Sequence, residues 1–119
     1  RDPTRGGLAT TLNEIAAQSK VSIEIDEQAV PIHPAVASAC EFLGLDPLYI
    51  ANEGKLIVIV EEDVAQEALS IIRSCKYGEN AAVIGRVSSE QPGFVSMKTA
   101  IGGKRLVDWL NSDPLPRIC

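Results

Sequence analysis

The sequence predicts an α+β domain in which a mixed sheet of five or six strands packs with about three helices. Segments with the apolar spacing of helices are interspersed with short segments typical of strands. Apolar residues make up 45% of the 119 residues, as expected for a folded protein. A chain of this length holds one domain with its own core and is too short for two ordinary ones.

Three segments have the apolar periodicity of amphipathic helices. The first runs from about residue 7 to 18 and follows a diglycine. The second runs from about Pro34 to Leu43, with a proline suited to its first turn and Gly44 suited to its end. The third runs from Glu62 to about Ser74, and its acidic start matches the positive end of a helix dipole.

Six segments are predicted as strands from alternation or from β-branched content. The run Leu56–Val60 is almost continuously apolar, which predicts a strand buried on both faces. The last two segments are expected to form a hairpin closed by Gly102-Gly103 in a tight turn. The six segments are Val21–Asp26, Leu48–Ile50, Leu56–Val60, Ala82–Val87, Phe94–Met97 and Lys104–Val107.

Charge and hydropathy exclude several classes of partner. The net charge is −5 and the basic residues are scattered, which argues against nucleic-acid binding and against anionic membranes. The longest apolar run is too short to cross a bilayer, and the chain opens without a secretory signal. An odd number of cysteines without a C-x-x-C pair is typical of a reducing compartment, so we expect a cytoplasmic protein. The opening Arg1-Asp2-Pro3 lacks a methionine, so we also expect a piece of something longer.

The three cysteines do not form a disulfide framework or a zinc motif, because their number is odd and no C-x-x-C pair occurs. Cys40 falls on the apolar face of the second helix and is expected in the core. Cys75 sits near the C-terminus of the third helix, where the dipole disfavours a thiolate. His33 is the only histidine and is expected at the surface, so no residue is assigned as a metal ligand.

Cys119 differs from the other cysteines because it ends the chain. We expect residues 1–110 to form the domain and residues 111–119 to form a flexible tail. Pro114 and Pro116 favour an extended, semi-rigid path for that tail. A thiol on such an arm can accept a group in one place and present it in another. The alternative is that the cysteine is only where the chain stops.

Two polar motifs could carry chemistry, and each has a structural alternative. Asp2-Pro3-Thr4-Arg5-Gly6-Gly7 places a diglycine at a helix start, where an anion can bind and Arg5 can assist. Taken alone, this motif is better explained as a helix start with glycines for close packing. Asn52-Glu53-Gly54 follows an apolar segment, and a desolvated carboxylate there suits a general base. Alone, it is better explained as an ordinary loop.

Together these motifs resemble the C-terminal domain of the HypE family of hydrogenase maturation proteins. The resemblance is carried by Pro116-Arg117-Ile118-Cys119, by Asp2–Leu8 and by Ala51–Leu56, in that family's order. The P-R-I-C terminus is highly specific. The other two motifs are shared with the aminoimidazole ribonucleotide synthetase and selenophosphate synthetase superfamily.

The resemblance implies an enzyme that acts on a group carried by its own terminal thiol. In the family, the carbamoyltransferase HypF loads a carbamoyl group onto the terminal cysteine, and ATP-dependent dehydration converts the thiocarboxamide to a thiocyanate. The cyanide then passes to iron on the HypC–HypD complex. Cys119 matches the carrier thiol and Glu53 is the candidate general base. The residues matched to nucleotide or tail-channel contacts are Asp2, Thr4, Arg5, Gly6, Gly7 and Asn52.

The family's N-terminal domain supplies most ligands of ATP and Mg²⁺ and the principal homodimer interface, and these 119 residues do not include it. We therefore expect the chain alone to bind ATP weakly, to hold no cofactor, to lack turnover and to be monomeric. Two other functions stay open. One is a carrier and docking module without catalysis of its own. The other is a non-catalytic small-molecule-binding domain of the same superfamily, with an incidental terminal cysteine.

Overall fold

The computed structural model describes residues 1–109. Three α-helices lie in this range: α1 spans Gly7–Ser19, α2 spans Pro34–Leu43 and α3 spans Ala65–Ser74. A 3₁₀ turn at Glu62–Val64 leads into α3. The three predicted helices are confirmed, and the third begins as a 3₁₀ turn rather than as α-helix.

The four strands form one mixed sheet. They are β1 (Ser22–Asp26), β2 (Gly85–Ser88), β3 (Val95–Lys98) and β4 (Lys104–Leu106), and their order in the sheet is β2-β1-β3-β4. β1 is antiparallel to β2 and parallel to β3, while β3 is antiparallel to β4. The α+β class and the mixed sheet are confirmed. The prediction of five or six strands is wrong for the described part of the chain, which has four.

The segment predicted as a strand at Leu48–Ile50 is instead part of a 3₁₀ turn over Pro47–Tyr49. The carboxylate of Asp46 accepts a hydrogen bond from the Leu48 backbone N–H at 3.0 Å. Pro47 presets the backbone angle of the first turn position. An aspartate followed by proline therefore specifies a turn here, and this local signal overrides the apolar residues that follow it.

The run Leu56–Val60 lies outside the four strands and is not buried on both faces. The side chain of Leu56 is 72% exposed and that of Val58 is 49% exposed. Ile57 exchanges two backbone hydrogen bonds with Arg1, each 2.7 Å long. β-branched content favours extended backbone but does not supply a neighbouring strand. Within residues 1–109, none of the four assigned strands includes this run.

The other four predicted strands are confirmed, although some of their ends differ from the prediction. The predicted strand at Ala82–Val87 starts later, at Gly85. The predicted hairpin forms from β3 and β4, but its turn is longer than two residues, since Lys98 pairs with Lys104. Residues 99–103 make the connection, closed by hydrogen bonds between Thr99 and the backbone of Gly103.

The core lies between α1 and one face of the sheet. Strand alternation turns Ile23 and Ile25 toward α1, while Glu24 points to the opposite face and pairs with Lys104 at 2.6 Å. That exposed ion pair adds little stability, whereas the apolar face stabilises the domain. The buried apolar cluster consists of Ala9, Leu12, Ala16, Ile23, Ile25, Leu48, Val95, Met97 and Val107.

Candidate functional site

The backbone from Leu48 to Asn52 brings the two polar motifs together. The Asn52 N–H donates to the Pro3 carbonyl at 3.1 Å. A Cβ atom added to Gly7 would lie 2.5 Å from the carbonyl oxygens of both Leu48 and Ile50. The start of α1 and the loop that carries the candidate base are therefore packed directly against each other.

The diglycine adopts a conformation that side chains disfavour. Gly6 and Gly7 have φ angles of +63° and +66°, and both residues are buried. A Cβ atom on Gly6 would overlap the side chain of Thr10. Carbonyl oxygens occupy the space next to Gly7, and an anion at that point would be repelled by them. This geometry favours the close-packing explanation of the diglycine.

Replacing Gly7 by alanine is expected to lower the free energy of unfolding by about 3 kcal/mol, because left-handed backbone strain is joined by a clash with two carbonyl groups. Gly44→Ala is the matched control, since Gly44 has a φ of +69° but nothing within 4 Å of an added Cβ. That control is expected to lose about 1 kcal/mol. Urea unfolding of the purified chain measures both losses, and equal losses would contradict the packing role of Gly7.

The other residues of the first motif are open to solvent or nearly so. Asp2 and Arg5 are exposed, and Thr4 is half-buried. The guanidinium group of Arg1 pairs with the carboxylate of Glu14 on α1, which ties the beginning of the chain to that helix. Asp2 and Arg5 thus project from a backbone that is anchored beside α1.

Glu53 lies on an exposed turn. Gly54, which follows it, has a φ of +72° and open space around its Cα. The side chains of Asn52 and Glu53 are both exposed in the described part of the chain. Any desolvation of the Glu53 carboxylate would therefore have to come from a group outside residues 1–109.

Two side chains hold the backbone where the described residues approach the C-terminal segment. The Asn13 side-chain amide donates to the Val107 carbonyl at 2.9 Å, and it also donates to the carbonyl one turn back in α1. The Tyr49 hydroxyl donates to the Asp108 carbonyl at 2.9 Å. The Val107 N–H donates to the Val95 carbonyl at 2.8 Å, which extends the β3–β4 pairing.

Asn13 and Tyr49 are not among the site residues predicted from the sequence. A signal for Asn13 was present, because an amide next to Leu12 on the apolar side of a helix requires buried partners. Asn13 is indeed only 3% exposed. Tyr49 gave no comparable signal, since the hydroxyl's partner lies far away along the chain.

The Tyr49 phenol is electrostatically perturbed. Burial raises its pKa above the usual value, and the negative charge of Asp46 adds to the rise. The positive charge of Arg105 opposes it, and that guanidinium group is held by Asp46 at 2.7 Å. The proton that bonds to the Asp108 carbonyl is thus held more tightly in the folded chain than in the unfolded one.

This raised pKa predicts a loss of stability in alkaline solution. The contribution of Tyr49 is fully present below the unfolded pKa of about 10 and is lost as the pH rises through the higher folded pKa. The midpoint of urea unfolding should therefore fall more steeply above pH ~10 in the wild type than in Tyr49→Phe. Tyr77→Phe, which alters a tyrosine that is 86% exposed, should keep the wild-type dependence. Identical profiles for wild type and Tyr49→Phe would disprove the prediction.

The histidine and two of the three cysteines lie in the described part of the chain. The imidazole Nδ1 of exposed His33 accepts the Ala35 N–H at 3.2 Å and caps α2. Cys40 is buried, as predicted. Cys75 is exposed, and its thiol donates to the Ile71 carbonyl at 3.4 Å. Cys119 and the predicted tail at residues 111–119 lie outside the described residues.

Residues 1–109 contain neither a cluster suited to a metal ion nor a helix suited to a membrane. This range contains no group of three or more His, Cys, Asp or Glu side chains that could hold a metal ion. In the same range, every helix is too short or too polar to span a membrane.

These features define an α+β domain with a mixed sheet whose first helix opens on a buried diglycine beside a carboxylate-bearing turn. The chain belongs to the family described as AIR synthase related protein, C-terminal domain, whose model matches residues 1–98. Among curated relatives, it is 56% identical over all 119 residues to carbamoyl dehydratase HypE of Rhizobium leguminosarum bv. viciae. That match covers 34% of the relative, so the chain spans about a third of its length.

Solved structures agree with this relationship. A crystal structure of the hydrogenase maturation protein HypE in complex with ATP is 54% identical and superposes with a TM-score of 0.92, over 100% of this chain and 37% of the other. A HypE chain from a HypE–HypF complex is 47% identical with a TM-score of 0.87, over 92% of this chain and 35% of the other. The fold is therefore that of the C-terminal part of HypE.

Proposed function

We propose that these residues form the C-terminal part of an ATP-dependent carbamoyl dehydratase that makes the cyanide ligands of [NiFe]-hydrogenase. The observation that supports this most strongly is the 56% identity to carbamoyl dehydratase HypE over all 119 residues. The match includes the Glu53 turn, the α1 start and the chain end. The family model matches residues 1–98 and does not reach the terminal cysteine, whereas the 119-residue match to HypE does.

In the proposed first step, Cys119 accepts a carbamoyl group from a HypF-type carbamoyltransferase. The thiolate attacks the carbonyl carbon of the activated carbamoyl donor, a C–S bond forms, and the donor's leaving group departs. The product is a thiocarboxamide on the end of the chain. The solved HypE–HypF complex supports this choice of partner.

In the proposed second step, the thiocarboxamide loses water and becomes a thiocyanate. ATP phosphorylates the amide oxygen and releases ADP, so the C–O bond can break with inorganic phosphate as the leaving group. The nitrogen loses both of its protons as the triple bond to carbon forms: we assign Glu53 as the base that takes one of them, and the other passes to solvent. The thiocyanate carbon is then attached to sulfur and triple-bonded to nitrogen. An electron-rich iron on a HypC–HypD-type complex supplies the electron pair of the new Fe–C bond, the S–C bond breaks, and its electrons leave with the Cys119 thiolate.

The described residues do not form a complete nucleotide site. The Leu48 and Ile50 carbonyl oxygens close the approach to Gly7, and they are unsuitable partners for phosphate. Arg5 is exposed and offers one guanidinium group. We propose that ATP and Mg²⁺ are held mainly by polypeptide beyond these residues, which also forms a homodimer interface. Contacts at the boundary are assigned to Asp2, Thr4, Arg5 and Asn52, whereas the buried Gly6 and Gly7 serve the close packing that places these residues.

Intact-mass measurement tests the proposal. The 119-residue chain and the full-length protein are each incubated with HypF, carbamoyl phosphate and ATP. The buffer is reducing, like the cytoplasm in which we propose that the reaction takes place. Both should gain the mass of a carbamoyl group, and only the full-length protein should then lose the mass of one water.

Each other outcome selects a different function. A gain in both proteins without loss of water in the full-length form would indicate the carrier and docking module. No gain in either protein would leave the non-catalytic small-molecule-binding domain. ATP that binds or is hydrolysed stoichiometrically by the 119 residues alone would overturn the assignment of the nucleotide site to the rest of the protein.

A further inference from the structure

The hydrogen bonds at Val107 and Asp108 hold the chain where its last residues begin. We call the carbonyl groups of these two residues the pivot. The Asn13 amide reaches the first carbonyl and the Tyr49 hydroxyl reaches the second, each at 2.9 Å. The two donors come from different elements, α1 and the 3₁₀ turn at Pro47–Tyr49.

The hydrogen bond between the Asn13 amide and the Val107 carbonyl is buried. Val107 is 1% exposed and Asn13 is 3% exposed, so the carbonyl and amide are both removed from water. Buried polar groups of this kind need partners, and the Val107 carbonyl loses this donor when Asn13 is replaced by a residue without an amide. The Val107 N–H is bonded to Val95 as well, so this residue is fixed from both sides.

Val107 is a core residue, and the hydrogen bonds also hold the backbone of Asp108, which follows it. β4 ends at Leu106, and residues that follow the last strand of a domain usually fray. Here the backbone is held for two residues past the strand. Ten residues follow Trp109 in the sequence, and they can reach at most about 35 Å when extended.

We propose that Asn13 and Tyr49 are positioning residues that fix the pivot from which Cys119 carries its carbamoyl group into the protein's own dehydration site. This inference rests on the proposed function. A fixed tether point sets the effective concentration of a tethered group at an intramolecular site. Transfer from a separate carbamoyltransferase depends instead on encounter between two proteins, and it tolerates a loose pivot.

The same backbone links the pivot to the candidate base. Tyr49 is four residues before Glu53, and the intervening Asn52 N–H is bonded to the Pro3 carbonyl. The segment that holds the pivot therefore also places the turn that carries the carboxylate. Tyr49→Phe keeps the ring and the backbone of this segment, so we expect the turn to stay in place and the delivery of the thiol-bound group to change.

The decisive experiment uses full-length protein with Tyr49→Phe, which removes only the hydroxyl. We expect the rate of HypF-catalysed carbamoylation to stay at the wild-type value. We expect the single-turnover rate of dehydration, started by adding ATP to carbamoylated protein, to fall about fivefold, as for loss of one hydrogen bond. Tyr77→Phe is the matched control and should leave both rates unchanged.

Asn13→Leu tests the second donor in the same assays. It should also slow dehydration without slowing carbamoylation. Thr11→Val is its matched control, because Thr11 is a buried α1 residue whose hydroxyl donates to the Gly7 carbonyl in the same helix. Thr11→Val should leave the ratio of the two rates at the wild-type value, even where the helix itself is weakened.

Hydrogen exchange supplies a measurement that does not depend on catalysis. In full-length protein, the peptide containing Val107 and Asp108 should exchange faster in Tyr49→Phe and Asn13→Leu than in either control.

Wild-type protein that neither accepts nor dehydrates the carbamoyl group would overturn the proposed function, while exchange would still report on the pivot. Functional wild type with unchanged dehydration in Tyr49→Phe would overturn the present inference. Equal slowing of both reactions would overturn it too, since that indicates a structural role only.

Discussion

Replacing Cys119 by alanine in the full-length protein is expected to abolish both carbamoyl acceptance and thiocyanate formation. A methyl group cannot form the bond to the carbamoyl carbon, and the dehydration step has no substrate without that bond. Intact mass after incubation with HypF, carbamoyl phosphate and ATP should show the unmodified protein. Loss of the carrier thiol removes the substrate rather than slowing its conversion, so we expect no residual turnover.

The other two cysteines provide the controls. Cys75→Ala changes an exposed thiol and should leave the mass gain intact. Cys40→Ala changes a buried thiol, and it should lower stability slightly while retaining the gain. A mass gain that survives Cys119→Ala, or disappears in Cys75→Ala, would place the carrier on a different residue. Urea unfolding of each variant separates loss of the thiol from loss of the fold.

Local signals in the sequence account for the helices. α2 is bounded as predicted by Pro34 and by Gly44, which has the left-handed φ of +69° that a helix end favours. Such signals lie within one or two residues of the boundary they specify. They could therefore be interpreted without knowing what the helix packs against.

The sheet was harder to predict because strand pairing joins distant segments. Nothing near Val21–Asp26 indicates that its neighbours are β2 on one side and parallel β3 on the other. The run Leu56–Val60 shows the limit clearly. Its composition predicts complete burial, yet Leu56 is largely exposed when only residues 1–109 surround it. The chain spans about a third of the relatives' length, and composition does not reveal which apolar residues meet the remainder.

Some residues of the candidate site could be predicted from the sequence, and others could not. Glu53, the diglycine and Cys119 could be proposed from the sequence because they belong to motifs that resemble a family. Asn13 and Tyr49 belong to none of those motifs. Their partners are carbonyl groups 94 and 59 residues away, and any residue type provides a carbonyl. Only the folded chain shows that these donors meet the backbone beside the terminal segment.

Replacing Glu53 by glutamine in the full-length protein is expected to stop the reaction at the thiocarboxamide. Glutamine keeps the size of the side chain and accepts hydrogen bonds, but it cannot take up the amide proton. A positioned general base contributes roughly 10²- to 10⁴-fold to a rate, and the dehydration rate should fall by that factor. Carbamoylation of Cys119 should continue at the wild-type rate, since it occurs at the partner's site. Single-turnover mass measurement resolves the two steps.

Glu61→Gln is the matched control for this prediction, because Glu61 is another exposed glutamate and makes no side-chain cap at the start of the 3₁₀ turn. It should dehydrate the carried group at the wild-type rate. A fall of only a few fold in Glu53→Gln would show that Glu53 orients the substrate and that another group takes the proton. Equal loss of carbamoylation and dehydration would instead place Glu53 in contact with HypF. Because Glu53 is exposed within residues 1–109, a large and selective effect would also show that the rest of the protein covers this turn during the reaction.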